Sequence, residues 1–129
     1  MAKKEVKNIN KVMLDFLFGQ SIENRLKSRE DIGLSEIYAD FDPEKKCTQG
    51  DFESLWSQAA KILGVSPGKL RLEDRFAKEL RSKDGLLGVN DELDSLIEWA
   101  GFIAETRGKQ IQFSDLVTLR DLMRFLLLN

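Results

Sequence analysis

Ser95 is the hydroxyl in this sequence best placed for chemistry, because carboxylates stand on both sides of it. Asp91, Glu92 and Asp94 precede it and Glu98 follows; from Asp84 to Glu105 there are six carboxylates and no lysine or arginine. Two other groupings hold reactive residue types. Glu73 and Asp74 are adjacent carboxylates, the kind used in general acid–base work. Cys47 reads as an incidental thiol in a polar linker, since a reactive one needs a close cation and only Lys45 and Lys46 are offered. Histidine is absent, which removes the commonest general base, the Ser-His and Cys-His nucleophile pairs and the usual zinc sites. No phosphate-cradling glycine loop, cysteine pair or calcium-loop pattern occurs. The chain is therefore expected not to be an enzyme, and no metal site is expected.

The element that must position Ser95 runs from Asp91 to Gly108. Leu93, Leu96, Ile97, Ala100, Ile103 and Ala104 recur at helical spacing and give it a face to bury. Asp91, Glu92, Asp94 and Ser95 suit the positive end of a helix, and Gly108 suits a left-handed stop. On that basis alone Ser95 is an ordinary first-turn residue, and the acidic run is a solvated face. Trp99 and Phe102 lie off the apolar stripe and are expected to meet the N-terminal extension, whose own apolar face needs cover.

The flanking elements follow the same logic. Asn8 can cap a helix with the face Ile9, Val12, Met13, Phe16 and Leu17, ending at Gly19. A more polar helix is expected from Ile22 to about Glu30, broken by Gly33. Leu34, Ile37, Tyr38 and Phe41 mark another helix, closed at Asp42-Pro43 because the residue before proline avoids helical backbone. Glu44 to Gly50 reads as a linker. Thr48 and Asp51 have capping-box spacing ahead of a helix with the face Phe52, Leu55, Trp56, Ala59, Ala60 and Leu63, stopped by Gly64. Glu73 to Leu80 offers a helical turn or two, Lys109 to Phe113 a short extended piece, and Ser114 to Val117 one turn. Thr118 and Asp121 repeat the capping-box spacing before a last, largely apolar helix containing Leu119, Leu122, Met123, Phe125, Leu126 and Leu128. With no strand pattern of useful length, the fold class is all-α.

The 129 residues suit one domain or one small domain with an extension, here 1–47 and 48–129. A net charge of −2 argues against general nucleic-acid binding, which needs a basic surface. No window is apolar enough for a membrane span, and the start lacks the apolar run of a secretory signal. A single cysteine forbids an internal disulfide and suits a reducing, cytoplasmic location.

From residue 50 to 128 the order of pieces resembles the acyl carrier protein family, the small helical carriers of fatty-acid and polyketide synthesis. The similar stretches are Leu63-Gly64-Val65, Leu72 to Leu80, Asp94-Ser95-Leu96, Gly108 to Leu116 and Thr118-Leu119-Arg120-Asp121-Leu122. The resemblance implies a helical bundle with an N-terminal helical extension, and implies Ser95 as the attachment point for phosphopantetheine, with Asp94 beside it. The arm's thiol would carry acyl groups as thioesters. Asp91, Glu92 and Glu98 would then dock basic patches on a phosphopantetheinyl transferase and on acyl-transferring enzymes. The extension offers a route to a homodimer. Counting the family's helix length back from Gly108 instead places the serine position at Leu93. In that register the fold carries no prosthetic group and serves as a protein–protein interaction domain.

Overall fold

The computed structural model of the protein describes residues 21–81 and 91–128. The helix expected after Asn8 lies outside them. Among the described residues there are five α-helices and no strand: α1 (Ile22–Leu26), α2 (Leu34–Phe41), α3 (Gln49–Leu63), α4 (Asp91–Thr106) and α5 (Leu119–Leu127). The all-α expectation holds. No helix among them is long and apolar enough to cross a membrane.

The middle of the bundle is α3, which packs against α2, α4 and α5, while α4 also meets α5. Its start is set by Thr48, whose Oγ1 accepts from the Asp51 amide at 3.1 Å, and its end by Gly64 at φ 72°. All six residues expected on its apolar face are buried. Phe52 and Trp56 stack at 5.4 Å, and Phe52 also meets Phe41 at 5.0 Å and Tyr38 at 5.6 Å, so an aromatic run joins α3 to α2. The Trp56 indole N–H donates to the Pro67 carbonyl at 3.0 Å, satisfying its one polar atom.

The first helix is shorter than its polar sequence suggested. Ser21 caps it through the Asn24 amide, and only Ile22 and Leu26 are buried, so nothing apolar remains to extend it beyond Leu26. Ile22, Leu26, Ile37, Tyr38 and Phe41 belong to the same buried cluster as α3, α4 and α5. The described part of the N-terminal extension thus shares one core with the rest, although residue 47 marks a change in sequence character.

Side chains of α1 and the following turn fasten it to the long connection after α3. Arg29 grips both carboxylate oxygens of Asp74 at 2.8 Å, and Asp74, itself 3 % exposed, also accepts from the Arg71 amide at 2.8 Å. That bond to Asp74 holds the Arg29 guanidinium above its ordinary pKa. Arg25 donates to the Lys78 carbonyl at 3.0 Å and to the Arg81 carbonyl. Beneath them, the Ile32 amide donates to the Gly68 carbonyl at 2.9 Å. A β-carbon at Gly68 would fall 2.7 Å from the Ile32 carbonyl oxygen and 1.8 Å from an Asp31 carboxylate oxygen. Asp31 can swing away, but backbone cannot. Gly68→Ala is expected to cost about 2 kcal/mol in urea unfolding.

The connection itself departs from expectation. Glu73 to Leu80 forms turns and no helix. Its backbone is committed elsewhere: the Phe76 amide donates to Val117, the Leu119 amide to Asp74 and the Arg120 amide to Leu72, at 2.8–3.0 Å. These bonds, with the single Arg75–Thr118 bridge, join two stretches that are far apart in sequence. Leu70, Leu72, Phe76 and Leu80 are buried beneath them. Helix α5 starts with the full capping box read from Thr118 and Asp121. The turn before it is a short 3₁₀ helix, Phe113–Asp115, one residue earlier than expected.

Candidate functional site

Helix α4 buries a narrower seam than its sequence predicts. Leu96, Ala100 and Ala104 are buried, Leu93 and Ile103 are half-buried, and Ile97 is 38 % exposed. Two of the three buried residues are alanines, while Leu93, Trp99 and Ile103 pack against the core only in part. Trp99 is half-buried and donates from its indole N–H to Gln58 on α3 at 3.0 Å. Phe102 is 64 % exposed, an unusual position for a phenylalanine in a small bundle.

The outward face has a consistent character. Asp91, Asp94, Ser95, Glu98, Phe102 and Glu105 are all exposed, and their spacing puts them along one stripe of the helix. Glu92 is half-buried beside it. Between Asp91 and Thr106 there are five carboxylates and no cation. The nearest lysine beyond the helix, Lys109, does not neutralise them. Its ammonium donates to the Phe125 carbonyl at 2.6 Å and sits 5.6 Å from the Phe125 ring, capping the end of α5. Burial first, then the Arg107 charge, lower its pKa. A shallow groove of about 610 Å³, lined by Gly101, Glu105, Gly108, Lys109, Gln110 and Ile111, adjoins the C-terminal end of the stripe.

Ser95 is exposed, as the resemblance requires, but it is the fifth residue of α4 and not its cap. The amides free of intrahelical partners are those of a helix's opening turn, and Ser95, the fifth residue of α4, lies beyond it. Asp91, Asp94 and Glu98 stand four before, one before and three after it, so a phosphate on its hydroxyl would meet like charge. Leu93, at the serine position of the other register, is half-buried and packs on the core.

The remaining reactive residue types have structural partners. Asp74 is held by Arg29 and Arg71. Glu73 pairs with Arg120 at 2.6 Å, and Arg120 also reaches Asp40 at 3.1 Å, tying α5 to α2. The two adjacent carboxylates therefore face different arginines and do not converge. Among the described residues no group of histidines, cysteines and carboxylates could hold a metal ion.

Sequence reading missed the part played by Asp42. It is 3 % exposed and accepts from the Lys46 and Cys47 amides and from the Tyr38 hydroxyl, at 2.8–3.1 Å. Burial alone would raise its pKa, but these donors outweigh burial and hold it below the ordinary carboxylate value. The apparent linker is thus wound around a buried anion. The signal was a single aspartate before proline, indistinguishable in sequence from a helix stop. Cys47 lies against it; burial, then the bond to Asp42, push the thiol pKa up to about 11. At pH 8 iodoacetamide should label native Cys47 roughly a hundredfold more slowly than the urea-unfolded chain, where an ordinary thiol pKa applies. Equal rates, followed by mass spectrometry, would show the thiol to be unhindered.

Comparison of the chain with protein-family models, curated proteins and solved structures gives no match.

Proposed function

We propose that this chain is a non-catalytic, acyl-carrier-like helical domain whose working surface is the exposed face of α4, used to dock a basic protein partner and bearing no prosthetic group. One observation carries this reading: Asp91, Asp94, Glu98 and Glu105 share an outward stripe with the exposed ring of Phe102, with no cation between Asp91 and Thr106. A ring amid carboxylates combines an apolar anchor with a field that speeds encounter with a cationic partner. Such docking is weakened by salt.

Ser95 supports a second reading, because its side chain is exposed and Asp94-Ser95-Leu96 retains the order found in carriers. On that reading a phosphopantetheinyl transferase esterifies Ser95, and the α4 face then serves acyl-transferring enzymes. Its position one turn inside the helix and its ring of carboxylates favour the first.

Incubation with coenzyme A and a broad-specificity phosphopantetheinyl transferase separates the two by intact mass. The docking reading expects an unchanged mass. A gain of one phosphopantetheine in the wild type, lost in Ser95→Ala, would establish the carrier and overturn it.

A further inference from the structure

Resting on the docking reading of α4, we infer that the basic partner of this face is a second copy of this chain, joined head to tail through the cations around the turn after α1.

Those cations are held by neutral oxygens. Arg71 donates to the carbonyls of Gly68, Leu70 and Glu30 at 2.6–3.1 Å, and the Lys69 ammonium to the Lys27 carbonyl at 2.5 Å. Arg25 donates to the carbonyls of Lys78 and Arg81. Among the described residues none of the three has a carboxylate partner. A carbonyl fixes a cation in place but leaves its charge intact, so the ordering cost of this surface is met before a partner arrives. Lys27 and Lys78 stand exposed beside them, while Arg29 in the same turn is neutralised by Asp74. Glu30 and Asp31 are the exposed carboxylates of the turn, too few to balance Arg25, Lys27, Lys69, Arg71 and Lys78.

Helix α4 is the opposite case. Asp91, Asp94, Glu98 and Glu105 are exposed, and among the described residues none pairs with a cation. The Phe102 ring stands one turn from Glu98 on one side and Glu105 on the other. A guanidinium plane laid on that ring can turn its remaining N–H groups to both carboxylates. Arg25 and Arg71 offer such planes already oriented, and the Lys69 ammonium keeps two donors beyond the one spent on Lys27.

No ion pair joins the two surfaces within one chain, so both are open to another copy. Because they are unlike patches, the contact is heterologous: copies add in a row or close into a ring. Charges at an exposed interface make such association weak and sensitive to salt.

Sedimentation velocity of the full wild-type chain tests this. At low salt the sedimentation coefficient should rise from micromolar to millimolar chain, and association should weaken about tenfold or more at about 0.5 M salt. Two double variants, each checked for folding by circular dichroism, assign the surfaces. Glu98→Lys with Glu105→Lys reverses α4, and Lys27→Glu with Lys78→Glu reverses the turn; all four side chains are exposed. Each variant alone should stay monomeric. An equal mixture should associate again, because the intact turn of one meets the intact α4 of the other. A wild type monomeric at every concentration, a variant that associates as the wild type does, or a mixture that stays monomeric would overturn the second-copy partner.

A synthetic leucine–lysine helix separates that failure from failure of the docking reading. A monomeric wild type whose α4 binds the helix would leave the docking face standing without a second copy. A monomeric wild type that does not bind it would remove both.

Discussion

Trp56→Ala will remove about 3–5 kcal/mol of stability, the largest loss expected from any single change in the described residues. The ring is fully buried, stacks on Phe52 at 5.4 Å, and lies on α3, the helix against which α2, α4 and α5 pack. Its indole N–H also satisfies the Pro67 carbonyl, so truncation leaves both a void and a lost bond. Trp56→Phe keeps much of the volume and loses the donor, and should cost only about 1–2 kcal/mol. Urea unfolding followed by circular dichroism gives both values, since Trp99 complicates a fluorescence signal. A loss below 1 kcal/mol for the alanine variant would mean that α3 is not the centre of the bundle.

The second large effect concerns a charge. Asp74→Ala should cost about 2–3 kcal/mol, because it strands Arg29 and the Arg71 amide together. The figure lies below that of a fully buried pair because the Arg29 side chain is 25 % exposed and can find water. Changing both partners, Arg29→Met with Asp74→Leu, should recover part of the loss, since no unpaired charge is left. Asp74→Ala should also loosen the stretch before α5, whose Leu119 amide bonds the Asp74 carbonyl. Hydrogen exchange at Leu119 and Arg120 reports that directly. Unchanged protection there would show the clamp to be local to α1.

The elements most legible in the sequence were those whose apolar spacing and end signals agreed. For α3, Thr48, six apolar positions and Gly64 all pointed to one helix, and all took their expected places. Thr118 and Asp121 marked the start of α5 for the same reason. Local signals failed where distant backbone decided the outcome. Glu73 to Leu80 has residues that tolerate a helix, yet the Phe76 amide is engaged by Val117 and the Asp74 carbonyl by Leu119. Asp42 carried no sign of burial, because its donors arrive only once the chain turns back on itself.

At the candidate site the sequence showed the acidic run and the offset of Phe102 but overstated the buried face of α4. Ile97 was expected inward by period and lies at the margin, because the small residues Ala100 and Ala104 fill the contact with the bundle. Ser95 was expected in the opening turn and stands one turn in, a shift of one or two residues that periodicity cannot resolve. That small shift decides how well the hydroxyl can share the helix's free amides, and with it the balance between carrying a group and binding a partner.

The most direct measurement is a nuclear magnetic resonance titration of the ¹⁵N-labelled chain with a synthetic leucine–lysine amphipathic helix. Amide shifts should concentrate at Asp94, Ser95, Glu98, Phe102 and Glu105, fade as salt is raised, and weaken about tenfold or more in Phe102→Ala. Shifts gathered instead on α2 and α5, or none on α4 at low salt, would contradict the account.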